Sequence, residues 1–283
     1  MIPNKLLEES IYRNVLEALR EDVGSGDVSA KLIREGVTST ANIISRENGI
    51  FCGKLWVNET AAQLDKKITI DWHVDDGSKM RPNQLLFKLC GPAASLLTAE
   101  RTILNFCQLL SGTATKANQY SQIVGDSKAK ILDTRKTLPG LRIAQKYAVG
   151  CGGCNNHRIG LFDAYLIKEN HIISLGGIKN AIQTAKKNKP KLKIEIEVED
   201  INELAQAIEA EADIALIDNF SIDETNRAVA LAKGKIKLEA SGGIDMDSLK
   251  AIAETGVDYI SIGALTKEVF PIDLSMRFSD QRP

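Results

Sequence analysis

LKIEIEVEDINELAQAIEAEADIALIDNFSIDETNRAVALAKGKIKLEASGG, residues 192–243, decides the fold. Three apolar runs, LKIEIEVED (192–200), IALIDNF (214–220) and KIKLEASGG (235–243), alternate with stretches of helical spacing near 201–210 and 222–232. Strands that alternate with helices make βα units, and βα units make a parallel sheet. IALIDNF carries consecutive apolar residues, as expected of a strand covered on both faces, whereas LKIEIEVED and KIKLEASGG alternate apolar with polar residues.

The rhythm extends outward from that stretch. Upstream lie AKILDTRK (129–136), AYLIKENHI (164–172) and a helix near 177–188; downstream lie a helix near 245–255 and DYISIGAL (258–265). Most of the strand runs end in polar residues or glycine: Asp133-Thr134-Arg135-Lys136, Lys168-Glu169-Asn170-His171, Glu195 to Asp200, Asp218-Asn219, Ser241-Gly242-Gly243 and Gly263-Ala264. In an α/β barrel these C-terminal ends share one rim, where active sites sit; in an open doubly wound sheet they line a crevice. No G-x-G-x-x-G turn follows an early strand, which favours the barrel. Glycine turns after the last strands suit a phosphate held by backbone N–H groups.

Residues 4–20 place Leu6, Leu7, Ile11, Val15, Leu16 and Leu19 at helical spacing, with Pro3 at the start. EDVGSGDVSA (21–30) reads as a loop. Residues 38–92 read as short strands between Gly and Pro turns, a small mainly antiparallel sheet. Beyond Pro92 comes helix sequence, with a break expected near Ser111-Gly112. Arg101 stands in an apolar stretch of it, either extending its stem to solvent or presenting a guanidinium to a neighbouring subunit.

The chain has 283 residues, 43% hydrophobic and 26% charged, with a net charge of −1. This is globular composition with length for one or two domains. The near-neutral balance argues against a nucleic-acid surface. No run is apolar enough to span a bilayer and the N-terminus lacks a signal-peptide core, so a cytoplasmic protein is expected. Cations are nevertheless concentrated locally. Residues 130–171 hold Lys130, Arg135, Lys136, Arg142, Lys146, Arg158 and Lys168 against Asp133, Asp163 and Glu169, a local charge of +4. Such a concentration in a balanced chain points to a local anion site. The five cysteines make no disulfide framework. Cys151, Cys154 and His157 have the spacing of half a zinc site, without a second pair to complete it.

The candidate rim carries two sets of charge. Arg135, Lys136, Arg158, Lys168 and the imidazole of His157 suit a substrate with several negative charges, because Arg grips carboxylate or phosphate bidentately and Lys acts as a point charge. Glu197 and Asp218 suit Mg²⁺ or ribose hydroxyls; they could equally pair with Lys168 or Arg135. Together these suggest a sugar phosphate and a second, acidic substrate. A Schiff-base role for Lys168 in a phosphate-binding barrel, or a pocket that binds without turnover, also fits these residues.

LDTRKTLPGLR (132–142), the KYAV to LIKENH block (146–171), EIEVE (195–199), LIDNF (216–220), LEASGGI (238–244) and VDYISIGALT (257–266) together resemble quinolinate phosphoribosyltransferases. EDVGSGDVS and the ERTILN segment around Arg101 match too, so the likeness covers nearly the whole chain. The resemblance implies an N-terminal α/β sandwich over residues 1–112, joined by a C-terminal tail, 270–283, and an incomplete α/β barrel over 113–269 carrying most of the active site. It implies transfer of phosphoribosyl from phosphoribosyl pyrophosphate to quinolinate with decarboxylation, with Mg²⁺, in de novo NAD synthesis. Residue by residue, Arg135, His157, Arg158 and Lys168 match quinolinate-binding positions, with Thr134 beside them. Lys136 matches a cation between the substrates. Glu197 and Asp218 match acids near ribose and metal; with Lys136 they form the expected catalytic set. Ser241, Gly242, Gly243, Ile262, Gly263 and Ala264 match the phosphate loops. Arg101 matches an arginine donated across a homodimer interface; a higher oligomer also fits. Cys154 departs from the family's usual third glycine, so its backbone must avoid glycine-only angles.

Overall fold

The computed structural model describes residues 2–125 and 127–279, so the last four residues of the expected tail lie outside the described residues. The chain forms two compact units, one of residues 1–118, 137–153 and 265–283, the other of 119–136 and 154–264. Residues 113–118, 137–153 and 265–269, which the resemblance assigns to the barrel, thus fall in the first unit.

The first unit is built on a four-stranded antiparallel sheet ordered Leu274–Phe278, Thr38–Ser45, Leu85–Pro92, Thr69–Trp72. The helix Ala93–Val124 starts directly from the third of these. Ala41, Ile43, Phe87 and Leu89 of the sheet join Leu96, Ile103 and Cys107 of the helix in one buried core. A second core holds Ile11 and Val15 of the helix Asn4–Val23, Trp56, Phe106 and Leu110, and Ala144 and Ala148 of the helix Arg142–Cys151.

Two local readings change. Lys54–Leu64, between the strand stretches TANIISRENGIFCG (40–53) and KKITIDWHVDDGSKM (66–80) and given no element from the sequence, forms a helix. Burial of Trp56, Val57, Thr60 and Ala61 on one side supplies the reason: spacings of three and four mark a helix face. The helix Ala93–Val124 is also unbroken at Gly112. A Cβ there would stand 2.2 Å from the carbonyl oxygen of Phe270. This glycine permits close approach of another chain segment and does not interrupt the helix.

The second unit is a six-stranded sheet with every pairing parallel. Its strands in chain order are Lys130–Leu132, Tyr165–Ile167, Ile194–Val198, Ile214–Asp218, Lys237–Ser241 and Tyr259–Ser261. In space they run first, sixth, fifth, fourth, third, second. The first and second strands are thus the two edges and do not pair with each other, as in a barrel left open between them; Leu132 makes one bridge to Asn155, in the segment before the second strand. The expected α/β fold with an incomplete barrel is therefore the one observed.

Helices Ile178–Asn188, Ile201–Glu209, Ile222–Ala232 and Met246–Glu254 follow the strands. Three begin at side-chain caps. Asp200 accepts from the N–H groups of Asn202 and Glu203, Ser221 from Glu224, and Asp245 from Asp247 and Ser248. Each cap is worth about 1 kcal/mol and fixes where a strand-end loop stops. Only residues 199–200, 219–221 and 242–245 separate these strands from their helices, so side chains on those loops have rigid bases. The run AYLIKENHI divides: its strand ends at Ile167, and Glu169–Leu175 is helical. Among the described residues no helix is long and apolar enough to cross a membrane.

Candidate active site at the strand ends

Of the seven cations in 130–171, Arg142 and Lys146 belong to the first unit, where Lys146 is fully buried. Lys130 opens its strand, at the end opposite the candidate rim. Arg135, Lys136, Arg158 and Lys168 remain, all in the second unit and all just beyond strand ends or in the loop after the first strand.

Arg135 and Arg158 are both half-buried. Burial holds the Arg158 guanidinium below its ordinary value, and the charge of Arg135 pushes the same way, against the pull of Glu195 and Asp163. Two cations brought together under partial desolvation repel one another. An anion with two carboxylates relieves that repulsion. Arg158 is steadied by a bond from Nη1 to the carbonyl of Ala164, at 3.3 Å. The loop around it is fixed by Asp163, whose carboxylate accepts from the N–H groups of Ile159 and Gly160.

Lys168 lies just past its strand, where its N–H donates to Nδ1 of His171 at 3.1 Å. Its ammonium pairs with Glu197, so one of the simple ion pairs anticipated from the sequence is present. Glu197 sits in the strand Ile194–Val198, and Asp218 ends the next strand, its Oδ2 accepting from the Asn219 side chain at 2.8 Å. The neighbourhood is acidic. Glu199 is held above its ordinary value, first by Glu169, then by its own desolvation and by Glu203, Glu197 and Asp218. A concentration of carboxylates attracts a hard cation.

The turn after the fifth strand takes backbone angles that favour glycine. Gly242 has φ +98° and Gly243 φ +57°. A Cβ on Gly242 would fall 2.1 Å from Oδ1 of Asn219, whereas one on Gly243 would meet nothing within 4 Å. Asn219 itself has φ +58°, a conformation asparagine tolerates, and its N–H donates to the carbonyl of Ser241 at 3.0 Å. At the last strand, Ile262 is buried and its N–H donates to Leu132 at 2.9 Å. Gly263 leaves room for Lys136, whose Cδ would stand 2.9 Å from an added Cβ. Thr134 shapes the turn before Lys136, its hydroxyl accepting the Lys136 N–H at 3.0 Å. Ala264 opens the short helix that follows. Arg101 belongs to the first unit and is exposed on its helix.

His157 is arranged differently from an exposed cation. Its Nδ1 accepts the N–H of Arg158 at 2.7 Å. Its Nε2 lies 2.9 Å from Glu195 Oε2 and 3.5 Å from Glu239 Oε2. Both glutamates are buried. Burial and the adjacent Glu195 push the Glu239 carboxyl up to about 8, opposed by His157 and Ser261. The half-zinc motif does not assemble: Cys151 gathers with Cys52 and Asp76, and His157 with the two glutamates. Cys154 adopts no positive φ, as its Cβ requires.

Glu195, Glu239 and Asn219 were given no role from the sequence. The available signal was a carboxylate in the middle of a strand expected to be buried, since such a charge needs a partner or a proton.

The C-terminal domain of quinolinate phosphoribosyl transferase matches residues 113–277, and the N-terminal domain matches 27–111. The chain belongs to the quinolinate phosphoribosyltransferase family. A probable nicotinate-nucleotide pyrophosphorylase [carboxylating] of Bacillus subtilis is 41% identical, over 90% of this chain and 89% of that protein. The nicotinate-nucleotide pyrophosphorylase [carboxylating] of Mycobacterium leprae is 37% identical, over 93% and 95%. The solved structure of the Francisella tularensis nicotinate-nucleotide pyrophosphorylase superposes with a TM-score of 0.94 at 51% identity, covering 99% of this chain and 98% of that one. Members of the quinolinate phosphoribosyltransferase family thus share both domains and nearly the whole length with this chain.

A pH prediction follows from the buried pair. Glu239 ordinarily titrates at 4.5 and is raised to about 8 in the fold. Between those values the folded protein keeps a proton that the unfolded chain has lost, so this group's contribution to stability falls as pH rises, by up to about 1.4 kcal/mol per unit. Glu239→Gln cannot ionise and should flatten that slope. Urea midpoints at about pH 5 and about pH 8 measure it, and an unchanged slope in the variant would remove Glu239 as the cause.

Proposed function

We propose that the chain transfers the phosphoribosyl group of phosphoribosyl pyrophosphate to quinolinate with loss of CO2, giving nicotinate mononucleotide and pyrophosphate in de novo NAD biosynthesis. The observation that carries this reading is a pair of half-buried arginines at the strand-end rim, Arg135 and Arg158, whose like charges a dicarboxylate neutralises. Arg135, Arg158 and Lys168, with His157 behind Arg158, would hold the two ring carboxylates and align the pyridine nitrogen. The turn Ser241-Gly242-Gly243 and the segment Ile262-Gly263-Ala264 would hold the phosphate through backbone N–H groups.

The ring nitrogen then displaces pyrophosphate from the anomeric carbon. Lys136, whose side chain lies against Gly263, would meet negative charge at the departing side. Glu197 or Asp218 would oppose the positive character that develops on the ribosyl group. The carboxylate next to the nitrogen leaves as CO2; its bonding pair stays on the ring carbon, stabilised by the quaternised nitrogen, and takes up a proton. No protein nucleophile is needed.

Mg²⁺ belongs to the same proposal. Glu197 and Asp218 are hard oxygen donors in an acidic neighbourhood, and neither belongs to a three-ligand group among the described residues. That suits an ion held by one or two carboxylates together with substrate phosphates. When bound it would neutralise charge on the pyrophosphate.

The proposal extends to a homodimer in which Arg101 of one copy completes the site of the other. Arg101 is exposed on the helix Ala93–Val124. Mixing Arg101→Ala with Lys136→Ala, each inactive alone, should restore activity once subunits exchange. Exchange without recovered activity would refute the shared site. Calorimetry tests substrate choice: quinolinate should bind more tightly than nicotinate by at least about tenfold, the worth of one charge-assisted hydrogen bond. Equal affinities would contradict the dicarboxylate reading.

A further inference from the structure

The buried face behind the rim carries a chain of contacts that the proposed reaction does not use directly. His157 sits between strands, with its side chain about one-tenth exposed and that of Glu195 4% exposed. The two ring nitrogens have different partners. Nδ1 accepts a backbone N–H, that of Arg158, so it must carry a lone pair. Nε2 therefore carries the hydrogen, and Glu195 Oε2 accepts it at 2.9 Å. A histidine with its Nδ1 proton on would present two N–H groups to one another at Arg158, and the 2.7 Å contact could not form.

The segment is tied down on its other side as well. Asp133, fully buried at the end of the first strand, accepts from the His157 N–H at 2.9 Å and from the Asn156 side chain at 2.7 Å. The backbone on both sides of the His157 ring is thus fixed, at His157 by Asp133 and at Arg158 by the ring itself. Glu239 backs the ring at 3.5 Å.

We infer that Glu195 is a positioning residue: by taking the Nε2 hydrogen of His157 it selects the tautomer whose Nδ1 grips the Arg158 backbone, and so sets where the Arg158 guanidinium meets an anionic substrate. Glu195 acts through His157 and does not touch substrate. The inference rests on the proposed function for the identity of that anion, a pyridine carboxylate, but not for the tautomer. It also assigns His157 a different task from a cation facing the substrate, because both of its ring nitrogens are committed inside the unit.

Two variants separate an acceptor from mere filling of space. Glu195→Gln keeps an oxygen that accepts from Nε2 and removes the charge. Glu195→Leu keeps the volume and removes the acceptor. Outer partners that orient a metal-bound histidine contribute about 10–100-fold, and the lower end applies to a histidine that acts through the Arg158 backbone. The Leu variant should therefore raise KM for quinolinate by about tenfold or more, with kcat and KM for phosphoribosyl pyrophosphate within about threefold of wild type. The Gln variant should return KM to within about threefold. A Leu variant with wild-type KM, or a Gln variant as impaired as Leu, overturns the inference. The tautomer is read independently by nitrogen-15 NMR of the wild-type protein, whose histidines number three. The His157 ring should show a protonated Nε2 and a bare Nδ1. A protonated Nδ1, or rapid averaging of the two forms, overturns the inference even if no variant folds. Absence of quinolinate turnover in wild type would instead refute the proposed function and leave the NMR result to decide the tautomer.

Discussion

Arg135→Ala should lower kcat/KM for quinolinate by about two to four orders of magnitude. A guanidinium that holds a carboxylate bidentately makes two charge-assisted hydrogen bonds, each worth about 1.5–3 kcal/mol. Arg135 is half-buried and stands where its charge is felt by Arg158, so water does not fully replace it when it is removed. Arg135→Lys is the informative partner. It conserves charge but loses the fork, and should cost about one to two orders of magnitude. Steady-state kinetics with each substrate varied in turn locates the loss, which should fall on quinolinate. A Lys variant with wild-type quinolinate KM would remove Arg135 from the carboxylate site.

Gly242→Ala is expected to damage both stability and phosphate binding. The residue has φ +98°, which an L side chain rarely adopts, and its Cβ would lie 2.1 Å from Asn219 Oδ1 and 2.8 Å from the Asn219 backbone nitrogen. That backbone nitrogen is the one bonded to Ser241, so the clash cannot be relieved without opening the turn. Backbone strain costs about 1–3 kcal/mol, and the overlap adds to it. For a chain this size, 3 kcal/mol is roughly 6–12 °C in Tm. Gly243→Ala is the control. It keeps a positive φ of +57° but meets no atom within 4 Å, so it should cost only about 1–2 kcal/mol. Gly242→Ala should melt well below Gly243→Ala and show the higher KM for phosphoribosyl pyrophosphate. Equal effects would mean that the Asn219 contact does not define the cradle.

The parallel sheet was legible because strand-like runs alternate regularly with stretches of helical spacing. The helices expected near 177–188, 201–210, 222–232 and 245–255 fall at Ile178–Asn188, Ile201–Glu209, Ile222–Ala232 and Met246–Glu254. The first unit was harder to read. Helix Lys54–Leu64 is short, and its apolar residues look like neighbouring strand sequence until tertiary packing selects one face. Gly112 misled because a glycine in a helix signals a break as readily as a close contact, and only the Phe270 backbone distinguishes them. At the rim, strand-end position predicted where Arg135, Lys136, Lys168, Asp218 and the glycine turns would lie. It could not predict the inward side of the sheet. Glu195 and Glu197 share a strand face, yet one is buried against His157 and the other pairs with Lys168 at the strand end. That division depends on depth along the strand, which residue type does not encode.

On the proposed function, this rim couples phosphoribosyl transfer to decarboxylation of quinolinate. One discontinuous assay tests it most directly: quinolinate, phosphoribosyl pyrophosphate and Mg²⁺ are incubated with the protein, and nicotinate mononucleotide and CO2 are quantified together. The account predicts equal amounts of both products, and neither when Mg²⁺ is withheld. Quinolinate binding without either product, or mononucleotide formed without matching CO2, would contradict it.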